Sequence, residues 1–354
     1  MPNEKTPVVT VIMPVRNEER AIRQSIASVL QQDHPAECIE VLVADGRSDD
    51  RTREIVNEIS QADSRVQLVD NPRKIMAAGF NAAVAVAKGD MIMMLGGHAE
   101  LASDYLRHSS RLLQAGLADC VSGPITTICE TTAMRPIALA MGSPFGVGDS
   151  AFRIGSSETK YVDTVAFGTF TREAIQRVGL LDEELVRCQD CEYSHRLRKL
   201  GGRILLSPDL RSQYRSRTTL RALWRQYFQY GYWKVRVLQK HPRQMRPRHF
   251  VPALFVGSLV ISFLAMLAHP LGKWLFLSVA GSYVLANLAI SIRLALRENC
   301  ARVHVLSASF AVLHLSYGSG FLLGLAKFWN RWGERDEWLG VGPQRTQDAT
   351  GNVS

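Results

Sequence analysis

The sequence predicts an α/β domain with a mostly parallel, doubly wound sheet, followed by C-terminal transmembrane helices. Three observations carry this. Short apolar runs rich in β-formers alternate with helix-patterned segments from Val8 to Leu95. Long uncharged apolar runs begin at Phe250. Between the two parts lies a stretch crowded with Arg and Lys.

The first strand is "VVTVIM", Val8 to Met13, a continuous apolar run of the kind buried on both faces of a sheet. Pro14 ends it. "NEERAIRQSIASVLQQ" follows, with Ala21, Ile22, Ile26, Val29 and Leu30 at helical spacing. "IEVLVADG" is the second strand, and "SDDRTREIVNEIS" a helix with Ser and Asp at its capping positions. "VQLVD" is the third strand, "KIMAAGFNAAVAVAKG" a small-residue helix stopped by Gly89, and "DMIMML" the fourth strand. Ligands in such sheets sit at the carboxyl ends of strands, near the switch in strand order. Those ends are Pro14 to Glu18, Asp45 to Asp50, and Gly96 to Glu100.

The remainder is read from charge and hydropathy. The 354 residues carry a formal net charge of +9, which suits nucleic acid, anionic lipid or a polyanionic substrate alike. Basic residues concentrate between Arg196 and Arg248, just before "FVPALFVGSLVISFLAMLA". Spans are expected at about 250–268, 274–292 and 303–326, since roughly 20 apolar residues cross a bilayer. The collar therefore reads as an inside-facing surface for membrane lipid, and nucleic acid is not expected because no recognition motif accompanies the charge. "MPNEKTPVVT" lacks the basic and apolar regions of a secretion signal, so a cytoplasmic catalytic part with reduced thiols is expected.

No G-x-G-x-x-G or G-x-x-x-x-G-K-[ST] follows the first strand, which removes support for dinucleotide or P-loop phosphate binding. The strand ends are acidic and polar instead. Asp45 can accept hydrogen bonds from a base or ribose; the alternative is that Asp45, Ser48, Asp49 and Asp50 form a turn and cap a helix.

"VTVIMPVRNEE", "EVLVADGRSDDRTREIV", "NPRKIMAAGFNAAVAVAKGD", "VAFGTFTREAIQRVGLLDEEL" and "QDCEYSHRLRKLGGRI" follow in an order that resembles family 2 glycosyltransferases of the GT-A fold. "RALWRQYFQYGYWK" and "HLSYGSGFLLGL" look like the ExoA-like branch of succinoglycan and exopolysaccharide biosynthesis. The resemblance implies inverting transfer of a sugar from a nucleoside-diphosphate donor. Pro14, Arg16, Asn17 and Glu18 match the first nucleotide-binding loop. Asp45 matches the base-reading Asp, Asp50 lies in the same loop, and Arg73 or Lys74 fall where the family contacts the nucleotide.

The strand Met91 to Leu95 leads to the family's metal-binding D-x-D or D-x-H position, where a cation stabilises the leaving diphosphate. Here Gly96 replaces the first Asp, leaving His98 and, further on, Glu100. The expected cofactor is a divalent cation, Mg²⁺ or Mn²⁺, and imidazole suits Mn²⁺ better. Three readings stay open: His98 and Glu100 hold the cation with the diphosphate, basic residues replace the metal, or the chain is a weakened relative. The general base comes from the E-D-type motif, here "RCQDCEYSHRLRKL", with Asp190 as base and Glu192 as its tuning neighbour; a plain N-cap is the alternative for Asp190. Cys191 stands where this branch often has another acid. Cys188-x-x-Cys191 with His195 suggests zinc or redox chemistry only weakly, as no second pair lies nearby.

The expected partition is a glycosyltransferase domain over 1–216, an amphipathic interfacial helix and basic collar over 217–249, a membrane domain over 250–328 and a polar tail over 329–354. Thr218 to Lys240 mixes aromatics with Arg and Lys as an in-plane helix does, able to guide a lipid acceptor with Arg221 and Arg225 or simply to anchor. The basic collar and "RLALRENCAR" place two spans with both flanks inside; a third span would put "KFWNRWGERDEW" outside, so 303–326 either spans or dips into the interface, with three spans preferred. The expected function is transfer of a hexose from a UDP-sugar to a polyprenyl-diphosphate-linked saccharide at the plasma (inner) membrane. The alternative is an inactive scaffold or regulator in a polysaccharide-synthesis complex.

Overall fold

The computed structural model describes residues 6–128, 131–215 and 219–333. Thr218 and most of the expected polar tail, from 334 on, lie outside the described residues.

β1 (Val9–Val15), α1 (Ile22–Leu30), β2 (Ile39–Asp45), α2 (Thr52–Ala62), β3 (Val66–Asp70), α3 (Met76–Val84) and β4 (Met91–Met94) alternate as the pattern requires. β1 pairs in parallel with β2 and β4, and β2 with β3. Pro14 does not end β1: it pairs with Ala44 inside the strand, and Val15 pairs with Asp45. A short β5 (Ala99–Leu101) and α4 (Tyr105–Gln114) lead to β6 (Cys120–Ser122) and β7 (Ile125–Ile128). The chain then leaves the sheet through three short helices, α5 (Arg135–Met141), α6 (Pro144–Val147) and α7 (Ala151–Ile154). It returns by β8 (Lys160–Tyr161), β9 (Thr169–Thr171), α8 (Arg172–Val178), α9 (Gln189–Lys199), β10 (Ile204–Leu206) and β11 (Ser212–Arg215).

The main sheet has the order β3-β2-β1-β4-β9-β6-β10-β8, with β9 and β8 antiparallel to their neighbours. Side chains alternate across it. Val9, Val11, Met13, Val41, Val43 and Met93 pack with α1, α2 and α4 on one face. Ile12, Leu42, Ala44 and Ile92 pack with Ala77 and Phe80 of α3 and Tyr193 and Leu197 of α9 on the other. Both faces are therefore covered, which explains the unbroken apolar strands. A second sheet, β5-β11-β7, lies at the carboxyl ends of the first.

α10 (Leu220–Lys240) is capped by Thr219, whose Oγ1 accepts from Ala222 N. α11 (Val251–Ala268), α12 (Gly272–Arg297) and α13 (Val303–Lys327) are long and apolar enough to cross a membrane. α13 is the most buried of the three, because it lies along α10. Their backbones approach so closely that a Cβ on Gly231 would stand 2.0 Å from the Tyr317 carbonyl oxygen, and one on Gly320 2.0 Å from that of Phe228. The polar and small residues that weaken its hydropathy, Ser309, Ser316, Gly320 and Gly324, are buried in protein contacts.

Both ends of α13 are tied to other parts of the chain. Just before it, the Glu298 carbonyl accepts from Arg135 of α5, and Leu306 and Phe310 pack with Ile137 and Ala140. Just after it, Phe328 O accepts from Gln239 Nε2 at 2.7 Å and Arg331 Nη1 donates to Glu184 at 2.7 Å. α10 is likewise a packed helix rather than one lying only on a surface, although Arg221, Trp224 and Arg225 stay exposed.

Candidate active site

The loops after β1 and β2 are stitched to one another. Asn17, in the left-handed region at φ 56°, donates its N–H to Ser48 Oγ at 2.9 Å, and its Oδ1 accepts from Asp49 N at 2.8 Å. Glu18 N donates to Thr52 Oγ1 at 2.7 Å, and Arg16 pairs with Asp49 at 3.2 Å. Asp45 is wholly buried at the end of β2; it accepts from Ser48 Oγ at 2.6 Å and from Arg53 Nη1 at 3.2 Å. Asp50, expected to face a nucleotide, clamps the scaffold instead. Its Oδ1 accepts from Thr52 N and Oγ1 at the start of α2, and its Oδ2 from Glu19 N. Burial pushes its pKa up, but the hydrogen bonds from Thr52 and Glu19 prevail and hold it low.

Lys74 and Arg73 diverge. The turn holding Lys74, at φ 61°, touches the β2 loop: a Cβ on Gly46 would stand 3.3 Å from Lys74 Cα. Asn71 N also donates to Asp45 O at 3.0 Å. Arg73, in contrast, pairs with Glu183.

Beyond β4, Gly96 and Gly97 are tightly enclosed. A Cβ on Gly97 would stand 2.7 Å from Val15 Cγ1, whereas one on Gly96 would meet only the Phe167 ring, at 3.2 Å. The position expected for an acid is thus roofed by an aromatic ring, and Phe167 is itself left-handed at φ 54°. His98 Nδ1 lies 3.0 Å from Glu18 Oε1, and its ring meets Tyr214 edge-on at 4.7 Å. A carboxylate behind an imidazole is how metal-ligating histidines are commonly oriented. The expected pairing of His98 with Glu100 is not formed: Glu100 accepts from Arg215 Nε at 2.9 Å and Gln24 Nε2 at 3.0 Å, because β5 turns its side chain toward α1 and β11. Among the described residues no three His, Cys, Asp or Glu side chains stand together as a metal site.

Asp190 lies in the first turn of α9. The N-cap is Cys188, in the left-handed region at φ 67°, so Asp190 is not the cap. Its carboxylate accepts from the adjacent Cys191 N at 2.8 Å. Burial raises its pKa above the usual carboxylate value, against the pull of that hydrogen bond and of the charges on Lys234 and Arg153. Glu192 does not share this site. It is buried against Arg196 (2.6 Å) and His241 (3.0 Å), and although burial acts to raise its pKa, those partners hold it low. Helical geometry explains the split, since residues two apart on a helix face different sides. Cys191 Sγ accepts from Lys234 Nζ at 3.1 Å. His195 instead stacks near His241, with ring centroids 5.0 Å apart.

Arg153 of α7, Phe167, Tyr214 of β11 and Lys234 of α10 escape the sequence reading. Phe167 lies inside "VAFGTF", a motif recognised without its role. Lys234 had a signal: Leu223, Tyr227, Gly231 and Lys234 share one helical stripe, and a lysine on a buried stripe needs a partner. Arg153 had none, because α7 is too short for a periodic pattern.

Residues 10–178 match the family described as Glycosyl transferase family 2. The chain is 29% identical over 323 residues to the succinoglycan biosynthesis protein ExoA of Rhizobium meliloti (strain 1021), covering 91% of this chain and 96% of that one. It is 24% identical over 328 residues to the dolichyl N-acetyl-alpha-D-glucosaminyl phosphate 3-beta-D-2,3-diacetamido-2,3-dideoxy-beta-D-glucuronosyltransferase of Methanococcus voltae, covering 90% and 97%. Among solved structures, the mannosyltransferase PcManGT from Pyrobaculum calidifontis, in complex with GDP-Man and Mn²⁺, superposes with a TM-score of 0.57 at 20% identity, covering 90% of this chain and 88% of that one. The α/β domain has the GT-A-like architecture, and the chain is a glycosyltransferase whose residues 10–178 match glycosyl transferase family 2 and which along nearly its whole length is similar to ExoA.

Proposed function

We propose that the chain moves a hexose, with glucose the first candidate, from a UDP-sugar to a polyprenyl-diphosphate-linked saccharide, inverting the anomeric centre, at the cytoplasmic face of the plasma membrane. The observation that carries this reading is Asp190, a buried carboxylate held by the backbone N–H of Cys191, with a raised pKa and with Lys234 of α10 and Arg153 of α7 as its nearby cations. Such a group is suited to take the proton of an acceptor hydroxyl as its oxygen attacks the sugar. Pro14 to Glu18, Asp45 and Lys74 would line the nucleotide, with Asp45 free to exchange Arg53 or Ser48 for a base N–H. Arg73 would join them only by leaving Glu183. A divalent cation would draw on His98, backed by Glu18, and would supply charge stabilisation for the departing diphosphate; one imidazole favours Mn²⁺ over Mg²⁺. Glu100, held by Arg215 and Gln24, is left out of that set. The name of the M. voltae relative specifies a dolichyl-phosphate-linked sugar, which supports a lipid-borne acceptor.

The membrane reading changes with the contacts of α13. With both ends of α13 held by the catalytic domain and α10, the reading best supported is a hairpin of two spans, α11 and α12, with α10 and α13 in the plane of the cytoplasmic interface. A catalytically silent scaffold is a second reading, favoured by Gly96 and the Phe167 ring above it. The test is transfer from radiolabelled UDP-glucose by the purified full chain, with polyprenyl-diphosphate-linked saccharide and Mn²⁺, Mg²⁺ or EDTA. Turnover that is strongest with Mn²⁺ supports the enzyme reading. No transfer or donor hydrolysis across a panel of UDP- and GDP-sugars would leave the scaffold.

A further inference from the structure

The groups around Asp190 have an imbalance of hydrogen-bond partners. Arg153 has no acceptor for its guanidinium among the described residues; it contacts the Phe152 ring, and its charge is felt by Tyr214, Tyr227, Tyr230 and Asp190. Among the described residues, the hydroxyl of Tyr227, only 7% exposed, has no partner, and neither has Nε2 of Gln189, 3% exposed in the same helical turn as Asp190. The Tyr317 hydroxyl on α13 is likewise unpartnered among them, and its neighbour Lys234, 7% exposed, carries a second charge. Buried donors without acceptors cost about 1–3 kcal/mol each, so their convergence calls for an explanation.

Each of these groups can donate, and of them only the Tyr227 and Tyr317 hydroxyls can also accept. The ligand that satisfies several donors and two cations at once is a pure acceptor with spread negative charge, and phosphate is the common case. Placement narrows the source. Tyr227 and Lys234 come from α10 and Tyr317 from α13, the two helices packed beside the membrane hairpin, while Asp45 and Lys74 belong to the opposite loops. Tyr214, which also touches His98, separates the two regions.

We infer that Arg153, Lys234, Tyr227 and Tyr317, with Gln189, form a phosphate-binding chamber that holds the phosphate oxyanion of the membrane-borne acceptor and presents its sugar to Asp190. This rests on the lipid-acceptor reading above. Lys234 is oriented by Cys191, whose thiol is the one hydrogen-bond partner of its ammonium among the described residues.

The test is binding rather than turnover, using the full chain in detergent with undecaprenyl diphosphate, undecaprenol and UDP as separate probes. Arg153→Gln and Lys234→Gln should each weaken undecaprenyl diphosphate about tenfold or more, and Tyr227→Phe, which keeps the packing, by several-fold. UDP affinity and undecaprenol binding should stay within about twofold of wild type. Unchanged undecaprenyl diphosphate affinity in all three variants would overturn the assignment. So would an equal loss of UDP affinity, which would give the chamber to the donor. Failure of the enzyme reading is seen separately, as a wild-type protein that binds these probes and transfers no sugar.

Discussion

Replacing Gly96 by Asp, the acid the resemblance predicts at this position, should not by itself create a strong metal site. A Cβ at Gly96 would stand 3.2 Å from Phe167 Cε1 and 3.6 Å from Cζ, a few tenths of an ångström too close. The ring has little room to yield: the Phe167 carbonyl accepts from Tyr105 Oη at 3.2 Å and Ser122 Oγ at 3.4 Å, fixing its backbone. Overpacking of this kind costs about 1–3 kcal/mol, and the carboxyl group beyond the Cβ meets the same ring. Phe167→Gly removes the ring and suits the left-handed backbone at that position. Gly96→Asp alone should therefore lower the unfolding midpoint, and the Gly96→Asp, Phe167→Gly pair should recover about 1 kcal/mol or more relative to the sum of the single changes. Denaturation of the detergent-purified chain measures the cycle, and Mn²⁺ titration should show tighter binding only in the double variant. Additivity of the two changes within about 0.5 kcal/mol would show that the ring does not govern this position.

Gly231→Ala should separate α10 from α13, since its methyl group would meet the Tyr317 carbonyl; a loss of about 1–3 kcal/mol is expected by chemical denaturation, while Gly257→Ala, with open space around it, should change little. The Glu184 carboxylate is half-buried, which acts to raise its pKa, but hydrogen bonds from Arg236 and Lys240 hold it down at about 2 against an ordinary 4.5. Its contribution to docking α10 is complete above pH 4.5 and is lost as pH falls toward 2, and Glu184→Gln should remove that dependence from the acid unfolding curve. Cys191 has its thiol pKa lowered by a hydrogen bond from Cys188 and by Lys234, whereas the hydrogen bond with Cys191 and burial raise that of Cys188, so at pH 8 iodoacetamide should modify Cys191 first. For the membrane, Arg302→Cys and Lys327→Cys should be labelled by an impermeant maleimide from the same side of sealed vesicles; labelling from opposite sides would make α13 a third span.

The strands were legible because a parallel sheet covered on both faces needs unbroken apolar runs, and β1, β2 and β4 have them. Their carboxyl ends were legible for the same reason, which brought Asn17, Asp45, Lys74 and His98 into view. Roles within those loops were less visible. Asp45 and Asp50 are both acids after one strand, yet one is buried beside Arg53 and the other caps α2, a difference set by cross-loop hydrogen bonds. Glu192 and Glu100 were not separable in the sequence from Asp190 and His98, because neighbouring positions on a helix or strand face different ways, toward Arg196 and Arg215 in these cases. α13 shows the limit for hydropathy: length and composition permit a span, while Gly320 and Gly324 record a helix partner that no window average contains.

If Asp190 is the base of the sugar transfer, the pH profile of Asp190→Asn reveals it. The asparagine is nearly the same size and can still accept from Cys191 N, so folding and UDP binding should persist. Loss of a general base should lower kcat by about 10²–10⁴-fold and abolish the acid limb of the wild-type profile, which should lie above the ordinary carboxylate pKa because burial raises it. Transfer by Asp190→Asn at the wild-type rate, with the acid limb intact, would contradict the account.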